Sequence, residues 1–430
     1  MGAKLVIIGG GSTYTPEVID GLIQRRDEIP LRELALVDIY QERLAVMHGM
    51  VSRMLHHAGY PLTLSATTHR ERALDGADFV IAQLRVGGMA ARLIDETVPP
   101  RFGVIGQETI GPGGLLKAMR TIPIMLGIAE DIERYCPSAW LLNFTNPSGM
   151  VTEALLHETK VKTLGLCNIP MDMHSDAARL LDVSLERITL DYIGLNHLGW
   201  VRDVHLDGVS VMERVLQATI HAARQEKDPL FSPDLLHTLG LLPGYYLSYY
   251  YNRDRMLTEQ VQSTQSRTER VMEIESELFR LYADPLTVER PALLNQRGGR
   301  HYSTAAMRII HALWHDTGAV NVVNVLNQGT FSSLPPDAVI ETACRVDAEG
   351  AHPLPAAPIP TIIRGLMESV KASEALAVQA AVAGNLGIAL QSLLAHPLVP
   401  SFAVARSLLA ALVAEHADYL PQFAPRKLTQ

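Results

Sequence analysis

The chain has 430 residues, of which 47% are hydrophobic, and its formal net charge at pH 7 is −9. This length allows a large core and indicates two domains or one elaborated domain. The negative charge, without a basic cluster, argues against nucleic acid or anionic membranes as partners. Three scattered cysteines are too few for a disulfide framework. Since no charged and apolar leader precedes the first strand, a cytoplasmic location is expected.

The first candidate site is a glycine turn. Residues 5–8, L-V-I-I, form a short buried strand, and a helix is expected over residues 16–25. A strand, a glycine turn and a helix N-terminus together place backbone N–H groups and the positive end of the helix dipole against a phosphate. Tyr14 takes the place of the third glycine in the usual G-x-G-x-x-G pattern. The turn residues predicted to bind the cofactor are Gly9, Gly11, Ser12 and Thr13.

The second strand, L-A-L-V-D-I, contains Asp38 at its end. An acid at this position can accept hydrogen bonds from an adenosine ribose, and its charge would repel a 2′-phosphate, so the site is predicted to bind NAD rather than NADP. Further strands are expected at residues 62–68, 77–84 and 139–145, with helical segments between most of them. This alternation predicts a parallel, doubly wound sheet.

From Trp200 the pattern changes to W-V-R-D-V-H-L-D-G, an alternating, half-exposed strand that helices follow. The predicted fold class is therefore α/β, with a Rossmann-like, NAD-binding domain over residues 1–195. A second, mixed α+β domain over residues 196–430 would hold substrate and metal and support oligomerisation. The Ala- and Leu-rich segment 371–415 is predicted to be helical and to close the second domain or form a subunit contact.

A long polar stretch rich in glycine follows the strand 77–84. It contains R-V-G-G at residues 85–88, then Arg92, and G-Q-E-T-I-G-P-G-G at residues 106–114. Because ligands collect beyond the carboxyl ends of strands in such sheets, we interpret this stretch as a loop folded over a polar ligand. A surface loop with turn glycines is the alternative.

Two residues of metal-binding type, Cys167 and His197, each end an apolar, strand-like run. Side chains at strand ends point into a crevice, so the thiolate and the imidazole could hold a divalent ion together. The pair alone favours the alternative, a buried structural cysteine and a hydrogen-bonded core histidine. Asn146 precedes Pro147 at the end of another strand, and its amide could face the same crevice or form an ordinary Asx turn.

Two later stretches are also candidates for the functional site. Residues 242–251, L-P-G-Y-Y-L-S-Y-Y-Y, form an aromatic cluster of the kind that usually packs a core. The Pro and Gly nevertheless favour a turn that could present one phenol as a base. Residues 297–303, R-G-G-R-H-Y-S, suit a phosphate or another anion, with a loop and helix cap as an equal alternative.

Eight motifs follow one another in this chain: G-G-G-S-T-Y-T-P, R-V-G-G, G-Q-E-T-x-G-P-G-G, N-F-T-N-P, C-N-I-P, G-L-N-H-L-G-W, R-G-G-x-x-Y-S and N-V-x-N-x-G. Together they resemble the NAD- and divalent-metal-dependent glycosidases of glycoside hydrolase family four. The likeness runs from the first strand to about residue 345. C-N-I-P resembles the motif of the family's 6-phospho-β-glucosidases rather than that of its alpha-specific members, which carry Asp or His after the Cys.

The resemblance implies roles for individual residues. Cys167 and His197 would bind Mn²⁺ or another divalent cation, and Tyr246 would be the catalytic base. Tyr246 is chosen because the family pattern is a tyrosine followed by leucine, and Tyr245 is the alternative. Asn168 would also take part in catalysis. The predicted substrate-binding residues are Arg92, Asn146, Asn168 and Arg297.

The implied reaction is hydrolysis of a 6-phospho-β-glucoside without a pair of catalytic carboxylates. NAD⁺ oxidises C3 of the sugar, the base removes the C2 proton while the metal stabilises the enediolate, and the aglycone leaves C1. Water then adds and the steps reverse, leaving glucose 6-phosphate with no net redox change. The rivals are an NAD-dependent dehydrogenase, a non-catalytic NAD sensor and a family member with another sugar specificity.

The resemblance also bears on assembly and on one doubtful position. The family forms dimers and tetramers, so a homodimer or homotetramer is expected. Arg300 replaces the alanine of the related R-G-G-A pattern, which leaves the phosphate contacts there open.

Overall fold

The computed structural model describes residues 2–298 and 302–423. Its strands are β1 (Ala3–Ile8), β2 (Leu31–Val37), β3 (Thr63–Thr67), β4 (Phe79–Ala82), β5 (Trp140–Asn143), β6 (Lys162–Gly165), β7 (Ile188–Leu195), β8 (Leu198–Leu206), β9 (Val209–Ser210), β10 (Leu242–Pro243), β11 (Ala319–Leu326), β12 (Val339–Asp347) and β13 (Gly350–Pro353).

The helices alternate with these strands over the first half of the chain and dominate its last part. They are α1 (Thr15–Gln24), α2 (Gln41–His57), α3 (Arg70–Leu74), α4 (Gly88–Thr97), α5 (Gly111–Tyr135), α6 (Ser148–Glu158), α7 (Ile169–Leu181), α8 (Met212–Gln225), α9 (Pro233–Leu239), α10 (Ser248–Tyr251), α11 (Arg253–Gln262), α12 (Arg267–Ala283), α13 (Leu294–Arg297), α14 (Tyr302–His315), α15 (Thr361–Ala383), α16 (Leu386–Ala395) and α17 (Phe402–Glu415). Within the described residues, no helix combines the length and the apolar character that a membrane span requires.

All of these strands join one mixed sheet. Strands β3, β2, β1, β4, β5 and β6 are parallel neighbours in that order, which is the strand order of dinucleotide-binding α/β folds. Beyond β6 the sheet continues with antiparallel pairing through β11, β12, β7, β8 and β10. The α/β fold class with a doubly wound sheet, predicted from the sequence, is confirmed.

The parallel strands are buried on both faces, so alternate residues face different cores. Val6 and Ile8 of β1 face a core that α5 and α6 cover, whereas Leu5 and Ile7 face a core that α1 and α2 cover. A strand covered on both sides needs an uninterrupted apolar sequence, which explains L-V-I-I.

Helices from the second half of the chain also cover the first half of the sheet. Helices α15, α16 and α17 pack on α5, and α12 and α14 pack on α2 and α1. The segment predicted to close the second domain therefore covers the N-terminal half as well, because Leu393 and Leu408 join the core beneath α5. A domain boundary near residue 195 stays a prediction.

The polar stretch 85–114, interpreted from the sequence as a loop, contains a helix. Helix α4 occupies its middle, with Ala91 and Asp95 buried and Gly87 in a left-handed conformation (φ 80°) just before the first turn. The glycines at both ends suggested a loop, but A-A-R-L-I-D-E between them is rich in good helix formers.

Candidate active site

The connection between β1 and α1 folds as a tight turn. The backbone N–H groups of Gly9 and Gly10 donate to the Val37 carbonyl at 2.9 and 2.8 Å, and Gly9 has a φ of 86°, which glycine adopts readily. A Cβ on Gly11 would lie 2.8 Å from Asp38 Oδ2. Glycines at these positions therefore let the turn approach the end of β2 closely.

Asp38 lies beside this turn and is held by two backbone groups. Its Oδ2 accepts a hydrogen bond from Gly11 N–H at 2.9 Å, and its Oδ1 accepts one from Tyr40 N–H at 3.0 Å. The carboxylate is only partly buried, so it keeps accessible lone pairs for further donors. The turn, the N-terminus of α1 and an accessible acid suit the phosphates and the ribose of a dinucleotide.

Ser12 and Thr13 complete the turn, and the structure places Arg297 next to them. Ser12 Oγ accepts from Tyr14 N–H at 3.2 Å. Thr13 Oγ1 donates to Glu275 Oε1 at 3.0 Å, and Arg297 Nη2 donates to the same oxygen at 2.6 Å. The Arg297 guanidinium also lies 4.2 Å from the centre of the Tyr14 ring. Arg297, predicted to bind substrate, thus contacts the cofactor turn and has its charge balanced by Glu275.

The rest of the R-G-G-R-H-Y-S motif is described only in part, and Arg300 lies outside the described residues. Tyr302 stacks on Phe144 with ring centres 4.1 Å apart and donates to its carbonyl at 3.1 Å. Ser303 donates to Glu17 from both N–H and Oγ, each at 2.9 Å. The described end of this motif therefore joins α14 to β5 and α1.

Cys167 and His197 are both buried, in a second region. Cys167 follows the end of β6 by two residues. His197 belongs to the two-residue turn of the β7–β8 hairpin and has a φ of 63°. The side chain of Asn196, the other turn residue, hydrogen-bonds to Cys167, which shows that the two candidate ligands come from adjoining segments.

The chemistry of this pair fits a divalent cation. Burial lowers the pKa of His197 to about 3, so its ring is neutral, the form that binds metals. Its Nδ1 is buried without a hydrogen-bond partner in the described part of the chain. Burial, with Glu341 adding to it, raises the pKa of the Cys167 thiol well above its usual range, a shift that a nearby cation would reverse.

Few protein ligands are available at this position. The described ranges 2–298 and 302–423 contain no group of three or more His, Cys, Asp or Glu side chains arranged to hold a metal ion. A metal held by Cys167 and His197 would therefore take its further ligands from substrate and water.

Tyr246 packs directly against His197. The two rings are stacked, with centres 3.9 Å apart and planes 16° from parallel, and the phenol hydrogen-bonds to Thr109. Tyr245 points outward and is 51% exposed. Burial raises the pKa of Tyr246, Cys167 and Glu108 raise it further, and Arg92 opposes them. Of the two tyrosines weighed from the sequence, the structure places Tyr246 beside the candidate ligands.

Three cations surround Glu108 next to this tyrosine. Arg92 Nη1 lies 3.3 Å from Glu108 Oε1, Lys117 Nζ donates to Oε2 at 2.6 Å, and Arg85 also pairs with this carboxylate. Arg92 pairs in addition with Glu96 at 2.7 Å. Burial and Arg85 lower the pKa of Lys117 to about 7. The cluster carries more positive than negative charge, which suits an anionic ligand.

Sequence reasoning found Arg92 in this cluster but missed Glu108 and Lys117. Glu108 stands in the quoted G-Q-E-T motif, so its position among glycines was an available signal. Lys117 lies inside the long helix α5, where nothing in the local pattern marks it.

One row of residues crosses the sheet between the two candidate metal ligands. Gly165 of β6 is paired with Asn324 of β11, Asn324 with Glu341 of β12, and Glu341 with Gly194 of β7. A Cβ on Gly165 would lie 2.8 Å from the Cβ of Asn324. Glycine there leaves room for the Asn324 side chain.

Glu341 is a buried carboxyl at the centre of this row. It accepts hydrogen bonds from Tyr192 OH at 2.8 Å, Asn324 Nδ2 at 3.0 Å and Asn196 Nδ2 at 3.3 Å. Burial nevertheless raises its pKa to about 7. Sequence reasoning missed Glu341, although a single acid inside the apolar strand V-I-E-T-A-C was a usable signal.

The two predicted asparagines each have a local partner. Asn168 precedes α7, and its Nδ2 donates to Asp172 Oδ2 at 2.8 Å. Asn146 is joined to Pro147 by a cis peptide bond, and its Oδ1 accepts from Ser148 N–H at 3.3 Å. The latter contact is the Asx turn that the sequence left as an alternative.

Comparison with known proteins shows the family of this chain. The model of the family 4 glycosyl hydrolases matches residues 4–183, and the model of the family 4 glycosyl hydrolase C-terminal domain matches residues 192–399. The chain is 43% identical to the probable 6-phospho-beta-glucosidase of Bacillus subtilis (strain 168), with 98% of each chain covered. It is 38% identical to the 6-phospho-beta-glucosidase of Escherichia coli (strain K12), with 98% of this chain and 97% of the relative covered.

A solved structure shares the whole fold. The 6-phospho-beta glucosidase from Thermotoga maritima, crystallised with manganese, NAD⁺ and glucose-6-phosphate, matches with a TM-score of 0.91 and 33% identity, covering 97% of this chain and 99% of that one. The family resemblance read from the eight motifs is confirmed. The chain belongs to the family 4 glycosyl hydrolases.

Proposed function

We propose that this protein hydrolyses 6-phospho-β-glucosides, such as cellobiose 6-phosphate, to glucose 6-phosphate and an aglycone, with NAD⁺ and a divalent metal ion, Mn²⁺ first. The similarity to 6-phospho-beta-glucosidases over nearly the whole chain supports the substrate class. The observation that carries the proposal is the Tyr246 ring stacked 3.9 Å from the His197 ring, because it puts a proton acceptor beside a neutral metal ligand.

The residues that would hold the two groups lie in separate regions. Gly9, Gly11, Ser12 and Thr13 would receive the NAD⁺ phosphates, and Asp38 its adenosine ribose. Cys167 and His197 would hold the metal ion. When bound, NAD⁺ supplies reversible oxidation of the sugar at C3, and the cation supplies positive charge that stabilises the sugar oxygens after loss of the C2 proton.

Tyr246 would move this proton. With a cation held by Cys167 and His197 beside it, the phenol would lose its own proton, and the phenolate oxygen would take the C2 proton as the aglycone leaves C1 and return a proton to C2 after water has added. Its proton affinity depends on its surroundings, since burial first, then Cys167 and Glu108, raise the pKa of the phenol, and Arg92 opposes them. The proposed base thus lies where charges on both sides adjust its proton affinity.

The cations around Glu108 would bind the 6-phosphate. Arg85, Arg92 and Lys117 surround Glu108, and Arg92 also pairs with Glu96, so three cations face two carboxylates and a phosphate arriving there would meet guanidinium donors. Arg297, also predicted to bind substrate, lies beside the cofactor turn and not in this cluster, and it pairs there with Glu275.

Asn146 and Asn168 would orient the sugar. Each side-chain amide already bonds within the protein, which fixes its direction, and both residues are only partly buried. Amides held in this way can offer their remaining donors or acceptors to sugar hydroxyl groups. Asn168 directly follows Cys167 and would therefore place the sugar next to the metal.

A panel of aryl glycosides tests the proposal. Phosphorylated and unphosphorylated, α- and β-linked substrates are incubated with NAD⁺, Mn²⁺ and a thiol reductant, with and without a chelator, while aglycone release and NADH absorbance are followed. The expected result is aglycone release from the 6-phospho-β-glucoside alone, abolished by the chelator, with no steady rise in NADH.

The other outcomes identify the rivals. Steady NADH formation would show a dehydrogenase, and cofactor binding without turnover would show a sensor. Cleavage of a different glycoside would show another sugar specificity within the family. A reaction in D₂O adds a mechanistic check, because proton removal by Tyr246 should leave deuterium at C2 of the product.

A further inference from the structure

The last described segment of the chain lies against helices α4 and α5. Residues 416–423 follow α17, and the Tyr419 ring comes within 3.3 Å of where a Cβ on Gly87, at the start of α4, would lie. The Gln422 side-chain amide donates to the Met119 carbonyl of α5 at 2.7 Å. The segment is thus fastened to the two helices that carry the cation cluster.

His416 makes a fully buried contact within this segment. Its Nε2 lies 2.9 Å from Asp95 Oδ1, and both side chains are 0% exposed. Arg120 donates to both oxygens of the same carboxylate, and the His416 tautomer with its proton on Nε2 suits the contact with this acceptor. His416 Nδ1 is buried, and no described residue forms a hydrogen bond to it.

Stability alone explains this histidine poorly. A buried polar atom without a partner is unfavourable, and buried ionic networks are often no more stable than well-packed apolar side chains of similar volume. A leucine at position 416 would bury a similar apolar body without a ring nitrogen that no residue of 2–298 or 302–423 bonds. What His416 adds is a hydrogen-bond donor with a fixed direction on Asp95.

Asp95 belongs to the helix that carries part of the candidate sugar site. On α4, Arg92 lies about one turn before Asp95, and Glu96 follows it. Arg92 donates to Glu96 at 2.7 Å and lies 3.3 Å from Glu108. A small rotation or shift of α4 would therefore change where the Arg92 guanidinium points.

Arg120 connects Asp95 to the segment that precedes α4. Its Nε donates to the Val86 carbonyl at 3.1 Å. Val86 adjoins Arg85, which pairs with Glu108. Direct contacts thus join His416, Asp95 and Arg120, and the backbone of α4 and of Val86 connects these residues to Arg92 and Arg85.

We propose that His416 is a positioning residue for the sugar site, which acts through Asp95 and Arg120 to place Arg92 and Arg85. This role rests on the proposed function, in which these arginines bind the phosphorylated sugar. It concerns a residue beyond position 399, where the match to the family model ends.

Three variants test the role. His416→Leu removes the donor, His416→Gln keeps a side-chain N–H, and Leu412→Ala is the matched control, because Leu412 is a fully buried residue of α17 that packs in the core with α5. Kinetics with an aryl 6-phospho-β-glucoside, calorimetric binding of glucose 6-phosphate and of NAD⁺, and thermal unfolding are measured for each.

His416→Leu is expected to raise KM about tenfold and to lower kcat by a smaller factor, because the arginines that bind the sugar are displaced, whereas Arg92 acts on Tyr246 only through its charge. Glucose 6-phosphate should bind about tenfold more weakly and NAD⁺ as in the wild type. His416→Gln should have a KM close to the wild-type value, because it keeps a side-chain N–H. Leu412→Ala should lower the unfolding temperature but keep the wild-type KM.

Two results would overturn the positioning role. One is an unchanged KM in His416→Leu while the wild-type protein cleaves the glucoside. The other is a KM that rises as much in Leu412→Ala as in His416→Leu, which would show a structural effect only. A wild-type protein that cleaves none of the glucosides would overturn the proposed function instead.

Discussion

The cofactor turn and the region around Cys167 and His197 are built in opposite ways. The turn is made of neighbouring residues and backbone groups, with Asp38 as its one accessible acid. The second region is assembled from distant segments, such as β6, the β7–β8 hairpin and the Tyr246 turn. Backbone N–H groups at a turn can bind an anionic ligand without help from distant side chains. Proton transfer instead requires neighbouring charges that shift the pKa of the reacting group.

Burial shows the same difference. Asp38 is partly exposed, whereas burial shifts the pKa values of His197, Cys167, Tyr246 and Glu341 in the second region. Groups with shifted pKa values concentrate where a reaction occurs. Shifted pKa values also occur beside the turn, at Tyr14 and Glu17. If the turn binds the cofactor and the second region carries out the reaction, as proposed, substitutions in each should have different signatures.

The largest loss of activity is expected from His197→Ala. The variant removes both a metal ligand and the ring on which Tyr246 stacks, so kcat/KM should fall by about 10³-fold or more. Metal content measured by mass spectrometry should fall as well, with NAD⁺ affinity unchanged. His174→Ala is a suitable control, since His174 Nε2 lies 2.7 Å from the Ile188 carbonyl. Full activity and metal content in His197→Ala would remove the ligand assignment.

Tyr246→Phe should have the next largest effect. It keeps the ring on His197 but removes the proton acceptor, so kcat should fall by about 10²- to 10⁴-fold while metal content stays the same. Product formed in D₂O should lose its deuterium at C2. Tyr245→Phe is the matched control and should change kcat by less than about twofold, because Tyr245 is exposed. A larger loss of kcat in Tyr245→Phe than in Tyr246→Phe would show that Tyr245 is the base.

Asp38→Asn should act on binding alone. Without the negative charge, NAD⁺ should bind about tenfold more weakly and NADP⁺ should gain relative to it, because the 2′-phosphate is no longer repelled. Fluorescence titration with both cofactors measures the change, and kcat at saturating NAD⁺ should be retained. An unchanged preference between the two cofactors would place the ribose elsewhere.

The smallest effect on activity is expected from Glu17→Gln, which should change stability. Burial raises the pKa of Glu17 from 4.5 to about 7. Between these pH values the unfolded chain binds fewer protons than the folded chain, so the free energy of unfolding falls as pH rises. The contribution, about 3 kcal/mol as an order of magnitude, is fully present below pH ~4.5 and lost by pH ~7.

Urea unfolding at several pH values measures this contribution. Between pH ~4.5 and ~7 the wild-type curve should fall more steeply than the Glu17→Gln curve, since glutamine does not titrate. Parallel curves would show that Glu17 ionises normally in the folded protein. NAD⁺ affinity should differ little, because Glu17 bonds to Ser303 and not to the glycine turn.

Much of the fold could be predicted because its signals are local. Apolar runs such as residues 5–8, the glycine turn and Asp38 at a strand end are each readable within a few positions. Helix α4 was missed because its flanking glycines outweighed the helix formers between them. The antiparallel half of the sheet, where β7 pairs with β12, depends on partners about 150 residues apart, which no local pattern reveals.

The candidate site depended more on the family resemblance than on local patterns. Cys167 and His197 are metal-ligand types at strand ends, but the pair alone favoured a structural role, and the resemblance implied the metal site and Tyr246 as the base. Glu341 and Lys117 were not found, because a single charged residue gains its meaning only from the groups packed around it. The role of each site residue, the cytoplasmic location and assembly as a dimer or tetramer stay predictions.

The way α15, α16 and α17 cover α5 has a consequence for folding. Their apolar side chains complete a core whose other members come from the first half of the chain, so a fragment of residues 1–195 would leave a broad apolar surface in water and should aggregate. The whole chain should therefore unfold in a single cooperative transition. The gap between the two family-model matches, at residues 184–191, would then mark a junction in evolutionary descent and not a boundary between independently folding units.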